Sequence, residues 1–94
     1  MTIRVSCAQI YPRLGDKKYN LQKMEQYIQQ TMTDYPDTQL IVFPELATSG
    51  YEGTVEQFQA LAETTEDGES IRRIGTLAAK YGIYIVYGFP ERDM

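Results

Sequence analysis

The spacing of apolar positions changes period twice along the chain. At the start, Ile3, Val5 and Cys7 alternate with Arg4, Ser6 and Ala8, a period of two that predicts a first strand over residues 3–10. Pro12 and Gly15 then punctuate a turn, and Asp16 is placed to cap a helix. From Lys17 onward, Leu21, Met24, Ile28, Met32 and Tyr35 recur every three or four residues, with Tyr27 and Thr31 beside them. That single stripe predicts a helix over residues 17–34. Pro36 ends it by pushing Tyr35 out of helical geometry. The next apolar stretch, Leu40-Ile41-Val42-Phe43, is continuous, as expected of a central parallel strand covered on both faces. Pro44 cannot donate to a ladder and stops it.

Residues 47–53 read as a loop. Thr54, with Gln57 three positions on, forms a capping-box pattern. It opens a short helix with Val55, Phe58, Leu61 and Ala62 on one side. After the break at Asp67-Gly68, Ser70 is the expected cap of a third helix, whose inner stripe is Ile71, Ile74, Leu77, Ala78 and Tyr81. Lys80 suits the last turn of that helix, and Gly82 suits the residue beyond it. Residues 83–89 then form a third strand closed by Pro90. The predicted order is β-α-β-α-β with right-handed crossovers, an α/β fold.

Ninety-four residues make one domain at most. A net charge of −4, with no Lys/Arg run longer than two, provides no stripe to track phosphates. Nucleic acid is therefore not an expected partner. Nor is a membrane, because no apolar run nears spanning length. The residues before Gln9 are too few and too polar for a signal segment. One cysteine excludes an intrachain disulfide and fits a reducing cytoplasm. The absence of histidine excludes Ser-His-Asp and Cys-His units, and with a single cysteine it excludes an ordinary zinc site. Any chemistry falls to carboxylates, Lys or Tyr, or to residues outside this chain.

Among the carboxylates, Glu45 stands apart. It follows Pro44 at the end of a buried strand, and ligands of open parallel sheets sit beyond the carboxyl ends of strands. Apolar neighbours there would suit it to general-base work, although on position alone it reads first as an ordinary solvated loop residue, as most loop carboxylates are. Cys7 lies mid-strand, where a small buried thiol is expected to pack as an apolar residue and stay inert. Lys17, Lys18, Lys23 and Lys80 read as solvated helix faces. Glu91-Arg92 reads as a loose surface pair or as a pair orienting active-site neighbours.

Phe43-Pro44-Glu45-Leu46, followed by Ser49-Gly50-Tyr51, resembles the nitrilase-superfamily segment that carries the glutamate of a Glu-Lys-Cys triad. Other stretches agree. Ala8-Gln9 with Gly15-Asp16 and Asn20-Leu21 resembles the family's opening pattern. Leu77-Ala78 to Gly82-Ile83, then Gly88 and Glu91-Arg92, resembles the stretch around its next strand. Each motif alone is weak, but together and in order they cover essentially the whole chain. The resemblance implies a four-layer α-β-β-α sandwich that hydrolyses non-peptide C–N bonds of a small amide, carbamoyl or nitrile substrate, without a cofactor. It implies Glu45 as the catalytic general base; Tyr51, which follows the loop that begins at Glu45, reads as a substrate-pocket residue or equally as packing against the short helix of residues 55–62. It also implies a full-length protein that is a homo-oligomer. The family's lysine and cysteine map beyond residue 94, so residues 1–94 are expected to be the N-terminal part of a single domain and inactive alone. Without the second β-layer, Val42 and Ile85 are expected to stay partly exposed.

The competing reading is a non-catalytic acidic α/β module that binds a partner protein or a small ligand. Residues 10–15 hold a single glycine, so no Gly-rich phosphate loop follows the first strand. That argues against a nucleotide as the ligand.

Overall fold

The computed structural model describes residues 2–50 and 53–92. Its elements are β1 (Arg4–Cys7), α1 (Lys17–Asp34), β2 (Thr38–Val42), α2 (Val55–Leu61), α3 (Glu69–Tyr81) and β3 (Tyr84–Val86). The strands form one parallel sheet in the order β1-β2-β3. Three rows cross it: Val5-Leu40-Tyr84, Ser6-Ile41-Ile85 and Cys7-Val42-Val86. The register slips between Arg4, which pairs with Thr38, and Val5, which pairs with Leu40.

Helix α1 has the limits its local signals dictate. The Asp16 side chain accepts a hydrogen bond from the Tyr19 amide, and the helix closes before Tyr35, whose backbone (φ −134°, ψ 72°) has left helical geometry ahead of Pro36. Leu21, Met24 and Ile28 along its stripe are fully buried, whereas Tyr35 at the end is 52% exposed. Helix α2 begins with the expected capping box between Thr54 and Gln57 but buries no residue completely. Helix α3 ends on Gly82 in the left-handed conformation (φ 65°), where a side chain would be strained. Its start differs from expectation. The cap is Gly68, and Ser70 lies inside the helix, fully buried. Gly68 has no side chain to cap the helix, and Glu63 Oε1 accepts the Ser70 amide of the first turn at 2.7 Å.

The outer strands are shorter than the alternation suggests because a ladder needs a partner at every rung. Ala8 donates to the Val42 carbonyl and Phe43 to that of Val86. Pro44 then supplies no donor, so the regular ladder stops at Val86 and the next hydrogen bond to this segment comes from the Ala47 amide to the Gly88 carbonyl.

Both crossovers pack on one face of the sheet, as consecutive parallel strands joined with uniform handedness require. Leu21, Met24, Ile28, Ile41, Phe43, Ala47, Ile74, Leu77 and Ile83 make the core between sheet and helices. Burying each large side chain contributes about 1.5–3 kcal/mol. A bidentate pair from Arg73 to Glu25 ties α3 to α1. The hydrogen bond to Glu25 is the chief reason the Arg73 guanidinium pKa lies above its usual value.

The other face is uncovered among the described residues. Cys7 is exposed there, contrary to the expectation of a packed thiol. Its register row with Val42 and Val86 points away from the helices. Val42 and Ile85 both stay partly exposed, as expected, although Ile85 shares a row with buried Ile41 and packs against the core. Val5, Tyr84 and Val86 are the exposed apolar residues of the strands' open side.

Candidate active site

Glu45 lies in a turn just past the carboxyl end of β2. The chain reverses at Leu46, a non-glycine residue with φ 55°, a conformation that persists only where surrounding contacts enforce it. Those contacts are dense. The Leu46 carbonyl accepts from the amides of Ser49 (3.2 Å) and Gly50 (2.9 Å), and the Ala47 amide donates to the Gly88 carbonyl at 3.0 Å. The Gly15 amide donates to the Ser49 carbonyl at 2.9 Å. Gly50 has φ 83°, and a Cβ on it would lie 3.2 Å from the Leu14 Cα.

Asn20, 1% exposed, is the main clamp between the two loops. Its Nδ2 donates to the carbonyls of Thr48 (2.9 Å) and Arg13 (2.8 Å), while its Oδ1 accepts from the Arg13 amide at 2.6 Å. One buried amide thus makes three hydrogen bonds, both of its donors included, that join the loop before α1 to the Glu45 turn. Ala47, Thr48 and Ser49 are fully buried. The Thr48 hydroxyl finds no hydrogen-bond partner among the described residues.

Glu45 itself is exposed. The apolar surround that would suit it to base work is not built by residues 2–50 and 53–92. What these residues provide is a rigid pedestal: the backbone is held from three directions and the carboxylate projects from it. Tyr51, the expected pocket residue, lies outside the described residues. Cys7 pairs with Val42 in the sheet, upstream of the turn.

Lys17 departs from the solvated reading. Its Nζ lies 3.7 Å from Oε2 of Glu63, a carboxylate only 4% exposed. Lys23 and Lys80 instead lie over the rings of Tyr19 and Tyr81. Glu91 and Arg92 engage through their backbones, for the Arg92 amide donates to the Glu63 carbonyl at 2.7 Å and Glu91 bridges Glu63. Glu63 has no distinguishing mark in the sequence. It follows an amphipathic helix and precedes polar residues, and its burial depends on segments distant along the chain.

Residues 4–93 match the family model described as carbon-nitrogen hydrolase. Over 93 residues the chain is 45% identical to a probable nitrilase of Schizosaccharomyces pombe, covering 99% of this chain and 34% of that protein. It is 35% identical to the omega-amidase NIT3 of Saccharomyces cerevisiae over 95 residues, covering 97% of this chain and 32% of that protein. The crystal structure of Saccharomyces cerevisiae Nit3, a member of branch 10 of the nitrilase superfamily, superposes with a TM-score of 0.82 at 34% identity. That superposition covers 97% of this chain and 34% of the other. The chain therefore spans about a third of the length of the curated relatives it matches.

Proposed function

The chain belongs to the carbon-nitrogen hydrolase family, the nitrilase superfamily, and on that premise we propose that it is the N-terminal part of one hydrolase domain whose general base is Glu45. The substrate is a small amide, carbamoyl or nitrile compound. In the amide case, Glu45 takes the proton of a cysteine thiol as the sulfur bonds to the carbonyl carbon. A lysine steadies the charge that develops on the oxygen. The C–N bond then breaks and the amine leaves with a proton, and water attacks the thioester to release the acid and restore the thiol. The lysine and the cysteine belong to the chain beyond residue 94. The same reading takes Tyr51, next after Gly50, as a wall of the substrate pocket.

The observation that carries the reading is the clamped turn. A solvated loop glutamate needs no left-handed Leu46, no buried Asn20 amide and no closely packed Gly50 behind it. A base must be held within a fraction of an ångström of its proton, and such backbone reinforcement serves that end.

The test is Glu45→Gln in the whole protein that contains this segment. Amide and carboxylate are nearly isosteric, so the melting temperature should hold while kcat falls on the order of a hundred- to ten-thousand-fold. A folded variant that keeps most of its rate would make Glu45 a bystander. Residues 1–94 alone, assayed beside it as a control, should turn over no amide, because one group of a triad acts poorly without the others.

A further inference from the structure

A carboxylate taken out of water is costly unless it is bonded and paired. Glu63, 4% exposed, is such a group, and the proposed chemistry does not use it. Its Oε1 accepts from the Ser70 amide in the first turn of α3 at 2.7 Å. Its Oε2 faces the Lys17 ammonium in the first turn of α1 at 3.7 Å. Gly68 leaves the room this requires, since a Cβ there would lie 2.7 Å from Oε1. The Glu63 backbone is used in both directions: its amide donates to the Pro90 carbonyl at 2.9 Å, and its carbonyl accepts from the Arg92 amide at 2.7 Å.

Those two bonds hold the segment that continues past β3, where the sheet offers no further rung. Two residues before Pro90, Gly88 accepts the Ala47 amide at 3.0 Å. Gly88 also lies flush against the turn beneath Glu45, because a Cβ on it would sit 2.8 Å from the Leu46 nitrogen and 3.2 Å from the Glu45 Cα. Both are backbone atoms, which cannot swing aside. A continuous path of direct contacts therefore leads from Glu63 through residues 88–92 to the Glu45 turn.

We infer that Glu63 is a positioning residue for Glu45, anchoring on the starts of α1 and α3 the strap of residues 88–92 whose Gly88 seats the Glu45 turn. The inference rests on the reading of Glu45 as the base. It assigns the buried carboxylate no contact with substrate.

The experiment is a pair of mutant cycles in the whole protein, with kcat expressed per folded molecule from far-UV circular dichroism at the assay temperature. Glu63→Ala should lower kcat at least tenfold with KM changed less than threefold. Glu63→Gln keeps the acceptor for the Ser70 amide and should recover kcat to within about threefold of the parent, since the 2.7 Å bond is the closer of the two carboxylate contacts. Gly88→Ala should lower kcat by a similar or larger factor. In a Glu45→Gln background, Glu63→Ala and Gly88→Ala should each cause no further loss, because groups acting through one base are not additive. If Glu63→Ala does not fold, the Gly88→Ala and Glu63→Gln cycles are read in its place. Losses that persist undiminished in the Glu45→Gln background, or a folded Glu63→Ala or Gly88→Ala with parental kcat, overturn the positioning role and leave the base intact. Glu45→Gln with parental kcat overturns the base itself.

Discussion

The two faces of the three-stranded sheet invert the usual relation between hydrophobicity and burial. The face toward the helices carries the row Ser6-Ile41-Ile85, which includes a serine, and Ile41 there is fully buried. The opposite face carries the rows Val5-Leu40-Tyr84 and Cys7-Val42-Val86 and is apolar throughout. Yet Tyr84 on that side is 79% exposed, Val86 52% and Val5 47%. Connectivity explains the difference. Crossovers of one hand, joining strands in consecutive order, deliver α1 and α3 to the same side. An apolar open face of this kind is a surface built for another layer.

The largest expected effect separates the faces by stability. Ile41→Ala on the covered face should cost about 2–5 kcal/mol. Val86→Ala on the open face should cost under about 0.5 kcal/mol in the 94-residue chain, as exposed substitutions do. Urea denaturation of both variants checks this, and equal losses would erase the distinction. In the whole protein the gap should narrow, because Val86 gains a cover there.

The next effect concerns association. Apolar patches above a few hundred square ångströms are rare on monomers, and unpaired strand edges invite pairing. The 94-residue chain should therefore self-associate, with its net charge of −4 only partly opposing this. Tyr84→Lys combined with Val86→Lys should shift it toward monomer in light-scattering chromatography. A sharply monomeric parent that melts cooperatively would show that this face tolerates water.

The smallest effect compares neighbours on β3. Tyr87 continues the covered side, with its hydroxyl 3.1 Å from that of Ser70 in α3. Burial raises its pKa above the ordinary 10.0, Ser70 opposes the shift, and the nearby Glu63 charge adds to it. The folded state thus holds this proton more tightly than the unfolded chain does. The Tyr87 contribution to stability should be complete below pH 10.0 and fall as pH rises through the elevated value. Tyr87→Phe should flatten that alkaline decline in melts followed against pH, and an unchanged profile would place the titration elsewhere.

Helix α1 and the turn around Glu45 show what could be read in advance. Asp16, the Leu21-Met24-Ile28 stripe and Pro36 each act within a turn of their own position, and the observed limits of α1 follow from them. The Thr54–Gln57 box and the left-handed Gly82 are equally local, and both stand where the sequence puts them. The place of Glu45 at the end of the central strand was legible for the same reason, since Pro44 marks that end in the chain itself, although that strand is covered on one face and not on both as expected. The pedestal beneath it was not. The carbonyl that takes the Ala47 amide belongs to Gly88, and the amide that holds the Thr48 carbonyl belongs to Asn20. Neither partner can be inferred from the residues around Glu45.

Strand lengths, the exposure of Cys7, the capping of the Ser70 amide by Glu63, and the burial of Glu63 share that character. Each depends on which distant segment arrives alongside. Capping, helical periodicity and chain breaking are energies of neighbouring residues, so the sequence alone determined them. Rungs, covered faces and buried carboxylates are energies of pairs far apart in the chain, and only their meeting in the folded molecule decided them.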